Sequence, residues 1–199
     1  MAGVRIEVCS SQEISRRLGE FDLDVGLTYL DFEGHDEGLH RRPLYTEKFM
    51  LLTPDDNELA DRDVVSWAEA AANPLCALGR QMQNRRILEF MTANEGAAFR
   101  PVIETATVDA LYSHVATRRW SSIIAHPWLY AFGIPPGMRV VNLVPQARNS
   151  TVGLVWSSQR HESVLATALF DAIRDVDVAG QLDSVLDAAL SGVNHAAPQ

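Results

Sequence analysis

Two aspartates flank a single leucine where the chain enters an apolar stretch, in 19-GEFDLDVGL-27. On a strand, Asp22 and Asp24 would point to the same side, and two neighbouring carboxylates can act as general acid and general base. The alternative is a surface turn that leads into a strand, because turns favour Asp. No neighbouring residue offers a catalytic partner, so the pattern favours the turn.

Histidines provide the other candidates for acid–base or metal chemistry. The loop 35-HDEGLH-40 contains metal-ligand residue types, but its two His are five residues apart in a Gly-containing loop and not on a helix face, so we predict no metal site. His114 lies among apolar helix positions, which is typical of a structural histidine. His126 precedes Pro127 at the end of a predicted strand and is the better functional candidate.

The two cysteines, Cys9 and Cys76, each end an apparent strand, where a thiol could face a pocket. Small buried thiols are commoner than reactive ones, and neither cysteine belongs to a C-x-x-C pair. We therefore expect neither a disulfide framework nor a structural zinc site.

Composition excludes several classes of protein. The 199 residues are 47% hydrophobic and contain no run of about 18 apolar residues, which argues against a membrane protein. The first residues lack the basic and apolar regions of a secretory signal, so the cytoplasm is the expected location. A net charge of −9 disfavours nucleic-acid binding by the chain itself. The sequence also lacks the G-x-S-x-G, phosphate-loop, G-x-G-x-x-G and H-E-x-x-H motifs, which weakens an enzyme interpretation.

Hydrophobic periodicity predicts alternating strands and helices. Val4, Ile6 and Val8 show the period of two that is typical of a strand, Ser10 fits a helix cap, and Gly19 fits the helix end, with a second strand following up to residue 28. The later predicted elements are strand 43–52, helix 67–72, strand 75–78, helix 84–94, strand 102–105, a helix from about 107, strand 122–125, a strand within 133–145, strand 151–157, and two amphipathic helices that close the chain.

The strand–helix–strand unit occurs before residue 50 and again between residues 75 and 125. This repetition predicts an α/β fold with mainly parallel strands, in which ligands bind beyond the carboxyl ends of the strands. Helix N-termini there suit a small anion such as a carboxylate. The candidate turns contain Ser10 and Ser11, residues 79–81, Thr105 and Thr107, and 125-AHP-127.

Five segments, in order, resemble the effector-binding domain of LysR-type transcriptional regulators. The first, 10-SSQEISRRLGEFDLDVGL-27, is similar to the family's helix and following strand, with Asp24 at the family's aspartate. Arg118 stands where the family usually has Gly, Ala125 where it usually has Pro, and Asn57-Glu58 where it has His-Pro. The other segments are 43-PLYTEKFMLLTPDDNELA-60, 63-DVVSWAEAAANPLCAL-78, 104-ETATVDALYSHVATRRWSSIIAHPW-128 and 151-TVGLVWSSQRHE-162.

The resemblance implies two Rossmann-like lobes joined by crossover strands, as in type 2 periplasmic binding proteins, with the effector held in the cleft between them. Lobe one would comprise residues 1–47 and 152–199, and lobe two residues 48–151. The implied hinge residues are Thr46, Phe49, Ser150 and Gly153. The implied effector contacts are Ser10, Ser11, Gly79, Arg80, Gln81, Thr105, Thr107, Ile124 and His126.

By the same resemblance, the chain is expected to sense a small anionic metabolite, to form a homodimer or tetramer, and to need neither a cofactor nor catalytic residues. DNA would be contacted only through a helix-turn-helix domain. That domain and the first strand and helix of lobe one would precede Val4. Two alternatives are a free-standing small-molecule-binding module without a DNA-binding role, and an α/β enzyme that uses Asp22, Asp24 or His126.

Overall fold

The computed structural model describes residues 3–31, 38–147, 150–159 and 164–192, so the polar cluster at residues 35–37 lies outside the described residues. The elements, in chain order, are α1 (Ser11–Gly19), β1 (Gly26–Tyr29), β2 (Leu39–Thr46), β3 (Phe49–Pro54), β4 (Val64–Ser66), α2 (Trp67–Ala71), β5 (Cys76–Leu78), α3 (Gln83–Asn94), β6 (Ile103–Thr105), α4 (Val108–Val115), β7 (Ser122–Ala125), α5 (His126–Phe132), β8 (Met138–Val144), β9 (Thr151–Ser157), α6 (Val164–Ala172) and α7 (Val178–Leu190). None of these described helices is long and apolar enough to cross a membrane.

The chain divides into two compact units. Unit one comprises Met1–Thr46 and Asn149–Ala179, and unit two comprises Glu47–Arg148 and Gly180–Gln199. This division differs from the expected lobes mainly at the C-terminal end, where the residues from Gly180 onward group with unit two. The physical reason is that Leu186 of α7 is buried in the unit-two core, together with residues such as Met50 and Leu111.

Unit one is built on a three-stranded sheet of order β1-β9-β2, in which both pairings are antiparallel. Helix α1 packs on β1 at Gly26, where an added Cβ would lie 2.3 Å from Ile14 Cγ2, so only glycine permits this close approach. Leu18 of the same helix is fully buried. In β9, a Cβ on Gly153 would lie 2.3 Å from the Arg42 carbonyl oxygen.

The prediction of a strand at residues 4–8 is wrong. Residues 3–10 form neither strand nor helix, and the side chains of Val4, Ile6 and Val8 are 65%, 89% and 77% exposed. A strand needs a hydrogen-bonded neighbour, and no strand in the described part of the chain pairs with this segment. The alternating pattern is therefore present without the ladder that it predicts.

Helix α1 confirms its predicted start and end. Ser10 Oγ accepts a hydrogen bond from the Glu13 N–H at 3.2 Å, and the helix ends at Gly19. The residue that takes the left-handed conformation after the helix is Phe21 (φ 59°), and not a glycine. Asp22 and Asp24 precede β1 and are exposed, which confirms the turn interpretation of the aspartate pair.

Unit two contains a four-stranded sheet of order β4-β8-β3-β7 and a parallel pair, β5-β6. A parallel bridge between Leu75 and Ser121 joins β5 to the start of β7. All six residues of β3 are buried, so this strand runs through the core of the unit. Trp67, fully buried at the start of α2, packs against Phe49 with ring centroids 5.8 Å apart.

Strand direction differs from the expectation of a mainly parallel sheet. Of the six strand pairings in the described residues, four are antiparallel, and each of these involves β3 or β9. These two strands directly follow the points where the chain crosses between units. The single strand expected at residues 43–52 is divided between β2 and β3, and strand β4 and helix α5 were not predicted.

Candidate functional site

Parallel pairing aligns three of the predicted turns at one edge of unit two. Strands β5 and β6 are in register, with Leu78 opposite Thr105, and the Gly79 N–H donates to the Thr105 carbonyl at 3.0 Å. Strand β7 runs parallel to β5 from the Leu75–Ser121 bridge. The carboxyl ends of β5, β6 and β7 are therefore neighbours, and they bring together the turns that follow Leu78, Thr105 and Ala125.

The β5–α3 turn, Gly79–Met82, is shaped by Gly79 and Gln81. The Met82 N–H donates to the Gly79 carbonyl at 3.0 Å, which closes the turn. A Cβ on Gly79 would lie 2.5 Å from Gln81 Oε1, so the side chain of Gln81 folds over the glycine. The side chain of Arg80 is 76% exposed, and its Nε lies 3.8 Å from Glu89 Oε1. The turn thus presents a cation and an amide group.

The helices that follow the turns differ in the charge near their N-termini. Helix α1 is capped by Ser10 and has Glu13 in its first turn, and helix α4 is capped by Thr107 and has Asp109. Helix α3 has no side-chain cap and no acidic residue in its first turn. A helix N-terminus carries partial positive charge. In α1 and α4 an acidic residue of the first turn offsets this charge, whereas in α3 the charge remains available to attract an anion.

A buried guanidinium that was not predicted from the sequence lies behind the β5–α3 turn. Arg85 is fully buried on α3, and its Nη1 donates to the Leu78 carbonyl and to Glu104 Oε1, both at 3.1 Å. Its Nε donates to Glu89 at 3.0 Å, and the guanidinium lies 4.8 Å from the Phe99 ring. No signal in the sequence marked Arg85, because the hydrophobic pattern assigns arginine to the solvent side of a helix.

The α3 helix buries other polar residues as well as Arg85. Asn84 is 6% exposed, whereas the apolar side chain of Phe90 is 64% exposed. Asn84 Nδ2 and Arg85 Nη2 are buried, and neither has a hydrogen-bond partner in the part of the chain that the structure describes. The polar residues are therefore concentrated on the buried side of the first turn of α3.

Both threonines of the β6–α4 turn form side-chain hydrogen bonds with the main chain. Thr105 Oγ1 donates to the Thr107 carbonyl at 3.2 Å, and Thr107 Oγ1 accepts from the Ala110 N–H at 3.5 Å. The Thr107 hydroxyl also bonds to Asp109 and is the main cause of the lowered pKa of that carboxyl group. A ligand at this turn would meet an exposed Thr107 whose hydroxyl already caps a helix.

His126 binds the backbone of Lys48. Its N–H donates to the Lys48 carbonyl at 2.9 Å, and its Nδ1 accepts from the Lys48 N–H at 3.1 Å. The residue is 1% exposed, and burial is the main cause that lowers the pKa of His126 to about 4. Asp183, whose Oδ1 lies 3.9 Å from Nε2, opposes this shift, and Lys48 adds to it. Ile124, just before this turn, is fully buried, so its side chain contributes to the core.

The predicted hinge residues lie beside the chain crossings. Thr46 ends β2 and Phe49 begins β3. Both main-chain groups of Phe49 bond to the Gln146 side chain, since the Phe49 N–H donates to Oε1 at 2.8 Å and Nε2 donates to the Phe49 carbonyl at 2.9 Å. Ser150 is fully buried, and Gly153 lies inside β9, paired with Thr28 and Pro43.

The two serines predicted in unit one are both engaged in hydrogen bonds. Ser10 caps α1. The carboxylate of Glu13 binds Arg16, so Glu13 does not accept the Ser10 N–H that would complete a capping box. Ser11 is 7% exposed, and its Oγ accepts from Thr28 Oγ1 at 2.8 Å. A hydroxyl group retains further capacity after one hydrogen bond, so Ser11 can still donate.

The described residues contain no group of three or more His, Cys, Asp or Glu that could hold a metal ion. Cys76 is buried, and burial raises the pKa of its thiol to about 11, which keeps it protonated at neutral pH. Cys9 is half-buried, and its Sγ lies 3.6 Å from Arg17 Nη1.

Strand-end turns that favour anions, in a chain of two α/β units, are features of a small-molecule-binding domain. The family model described as LysR substrate binding domain matches residues 2–177, and the chain belongs to this family. It is therefore an effector-sensing regulatory domain of the LysR type and not an enzyme. No curated protein sequence matches the chain.

Solved structures share the fold at low sequence identity. The CcmR regulatory domain from Synechocystis PCC6803, in complex with 2-PG, has a TM-score of 0.75 at 13% identity, and the match covers 88% of this chain and 84% of that one. The effector-binding domain of QuiR in complex with shikimate has a TM-score of 0.69 at 12% identity, covering 82% and 76%. HinK, a LysR family transcriptional regulator from Pseudomonas aeruginosa, has a TM-score of 0.69 at 17% identity, covering 87% of this chain and 60% of HinK. The fold is thus the α/β fold of type 2 periplasmic binding proteins, as predicted.

Proposed function

We propose that this domain recognises a small anionic metabolite and that the β5–α3 turn binds the anionic group. The observation that carries the proposal is the N-terminus of α3, which lacks a side-chain cap and an acidic residue and follows the exposed Arg80. Backbone N–H groups at such an end, together with a guanidinium, suit a carboxylate or a phosphate. The complex of QuiR with shikimate, a carboxylate, is consistent with this ligand class.

The remaining contacts of the proposed site are the residues that the family resemblance implied. In unit two these are Gly79, Gln81, Thr105, Thr107 and the turn at Ile124 and His126; in unit one they are Ser10 and Ser11. Ile124 and His126 would contribute main-chain groups or shape, because both side chains are buried. The residues beside the crossings, Thr46, Phe49, Ser150 and Gly153, would absorb the backbone changes that accompany effector binding.

Regulators of this family bind small-molecule effectors and act as oligomers. We extend the proposal to a homodimer or tetramer that works in the cytoplasm and contacts DNA through a helix-turn-helix domain outside this sequence. The genomic DNA upstream of the coding sequence tests the DNA-binding part of this proposal, because an in-frame helix-turn-helix is expected there.

Calorimetric titration with a panel of carboxylate and phosphate metabolites, each beside a neutral analogue, tests the effector class. We expect an anion to bind and its neutral analogue to bind much more weakly. Arg80→Gln should weaken binding of that anion by about 3–10-fold, a modest effect because an exposed cation is screened by water.

Arg100→Gln is the matched control for the Arg80 experiment, because Arg100 is exposed and precedes β6, at the opposite end of the strand from the turn. Its affinity should equal that of the unmodified domain. Ser11→Ala and Thr105→Val extend the test to the other turns. A panel without any binder, or equal effects of the Arg80 and Arg100 substitutions, would contradict the proposed site.

A further inference from the structure

The edge of unit two that carries the candidate turns also carries the only lysine of the sequence, Lys48. Strand β3 is antiparallel to β7, with Phe49 opposite Ala125, so β3 begins at the edge where β7 ends. Lys48 directly precedes β3 and therefore lies beside the β7–α5 turn. Strand β7 lies between β3 and β5, and two strand spacings put the main chains of Lys48 and Gly79 about 10 Å apart.

His126 fixes the main chain of Lys48 at this edge. Its Nδ1 accepts from the Lys48 N–H at 3.1 Å, and its own N–H donates to the Lys48 carbonyl at 2.9 Å. These two hydrogen bonds hold the base of the Lys48 side chain, whereas its ammonium group reaches solvent, since the side chain is 40% exposed. Lys48 is thus a cation with a fixed starting point at the edge where the candidate turns lie.

A carboxylate of helix α7 binds the ammonium group of Lys48. Lys48 Nζ lies 2.7 Å from Asp183 Oδ1, and this oxygen lies 3.9 Å from His126 Nε2. With a pKa of about 4, His126 is neutral at neutral pH, so the ionic partner of Asp183 is Lys48. The buried side chains of Leu182 and Leu186 anchor α7, whereas the side chain of Asp183 is 45% exposed. The carboxylate can therefore leave Lys48 by a side-chain rotation, without movement of the helix.

The Lys48–Asp183 pair occupies a cation that an anionic ligand could use. The pair is exposed at both ends, so it is weak, and a ligand carboxylate can replace Asp183 at little cost. After the exchange Asp183 stays in contact with solvent, so no charge is left buried and unpaired. The proposed site at the β5–α3 turn holds one acidic group beside Arg80, and Lys48 offers a second cation along the same edge.

We propose that Lys48 binds a second acidic group of the effector and that Asp183 competes with the effector for Lys48. The effector is then a molecule with two acidic groups, of which one binds at the β5–α3 turn and the other at Lys48. A molecule with one acidic group binds at the turn alone and does not meet this competition. The inference rests on the proposed anion site at the turn, and it adds the ligand class and a regulating residue to that site.

Linear diacids from malonate to adipate are the probes, each beside its monomethyl ester, which has a single acidic group. In calorimetric titrations up to about 20 mM, we expect at least one diacid to bind about 3–10-fold more tightly than its ester. Lys48→Gln should remove this difference. Asp183→Asn should raise the affinity for the diacid by about 2–5-fold, as expected from the strength of an exposed ion pair, and should leave the affinity for the ester unchanged.

Asp187→Asn is the matched control for Asp183→Asn. Asp187 is exposed one turn further along α7, and its substitution removes the same charge. Its affinity for the diacid should equal that of the unmodified domain. In a Lys48→Gln background, Asp183→Asn should also have no effect, because there is no longer a cation to compete for. Equal gains from the Asp183 and Asp187 substitutions would indicate a general effect of net charge and would overturn the inference.

The single lysine also permits a direct measurement at Lys48. Reductive methylation with ¹³C-formaldehyde labels Lys48 as the only side chain and keeps its charge, and the NMR signal of the added methyl groups reports the surroundings of Nζ. The diacid should shift this signal. Half of the maximal shift should occur at a lower diacid concentration in Asp183→Asn than in the unmodified domain.

The variants separate this inference from the proposed function. Diacid binding that Arg80→Gln weakens and Lys48→Gln does not would overturn the inference and leave the proposed effector turn. Binding that depends on Lys48 but not on Arg80 would contradict the effector turn and leave the competition at Lys48. If no diacid at about 20 mM shifts the Lys48 signal of the Asp183→Asn protein, the inference is wrong whatever binds at the turn.

Discussion

The two units use similar sequence patterns with different results. In unit two, the apolar run Phe49–Pro54 is buried along its whole length, because β7 and β8 pair with it on both sides. In unit one, the alternating Val4–Val8 segment is exposed, because none of the described strands lies beside it. This contrast shows that a strand-like pattern indicates which residues are able to pair. Their burial depends on a neighbouring strand, which the local sequence does not encode.

The largest difference is expected between two isoleucines. Ile123 of β7 is 2% exposed and Ile6 is 89% exposed. Ile123→Ala should lower the free energy of unfolding of unit two by about 2–5 kcal/mol, through lost burial and the cavity that it leaves. Ile6→Ala should change the stability of the monomer by less than about 0.5 kcal/mol.

Urea denaturation at low protein concentration measures both isoleucine variants. For Ile123→Ala, a Trp156→Phe background leaves Trp67, Trp120 and Trp128, which all lie in unit two, so their fluorescence reports that unit. For Ile6→Ala, Trp156 of unit one is kept, and far-ultraviolet circular dichroism follows the unfolding of the whole chain. A loss of more than 1 kcal/mol for Ile6→Ala in the monomer would mean that the N-terminal segment packs within its own chain.

Histidines extend the comparison to pH. The pKa of His126 is about 4 in the folded chain, against about 6.5 in an unfolded chain. Between these values the unfolded chain binds a proton that the folded chain does not, so the stability of unit two should fall as the pH drops from 6.5 to 4. At roughly 1.4 kcal/mol per pKa unit, the loss is on the order of 2–3 kcal/mol. Protonation also removes the Nδ1 acceptor of the Lys48 N–H.

An Asn variant checks this pH dependence. His126→Asn keeps an acceptor near Lys48 but does not titrate, so its stability should depend less on pH over this range. Equal slopes for His126→Asn and the unmodified chain would show that His126 is not the group responsible.

Two arginines that each bind two glutamates test the role of burial in ion pairs. Arg85 in unit two is fully buried and bonds to Glu89 and Glu104, whereas Arg16 in unit one is 54% exposed and binds Glu13 and Glu20. Arg85→Gln should cost about 2–4 kcal/mol in urea denaturation, because it leaves the Leu78 carbonyl and the Phe99 ring without the guanidinium. Arg16→Gln should have an effect near the measurement error. Similar losses for both would contradict the importance of burial.

Local signals in the sequence were enough to predict many elements but not their partners. Ser122–Ala125 is a strand with the predicted bounds, and Ser10 caps α1, since both depend on residues close in sequence. The direction of β3 and β9, the missing neighbour of Val4–Val8 and the burial of Arg85 all depend on contacts between distant residues. The turns of the candidate site were predictable because parallel strands bring their carboxyl ends together. The hydrogen bonds of Lys48 to His126 and of Gln146 to Phe49 were not predictable, because they join residues far apart in the sequence.

The smallest expected effect concerns two residues in the left-handed backbone region, Arg118 in unit two (φ 60°) and Phe21 in unit one (φ 59°). Glycine adopts this conformation without strain, and it is the residue that the family resemblance implied at the position of Arg118. Arg118→Gly should stabilise unit two by about 0.5–1 kcal/mol, because relief of strain exceeds the loss of an exposed ion pair with Asp55. Phe21→Gly should be nearly neutral, because Phe21 is only 45% exposed and its lost burial offsets the gain.

Arg119→Gly is the control for both glycine substitutions, since Arg119 is exposed and does not have a positive φ. It should destabilise the chain slightly, through the larger conformational entropy of glycine in the unfolded state. Thermal denaturation of the three variants side by side gives the order Arg118→Gly, Phe21→Gly, Arg119→Gly, from most to least stable. The reverse order would mean that the side chain of Arg118, through its ion pair with Asp55, contributes more to unit two than its backbone strain costs.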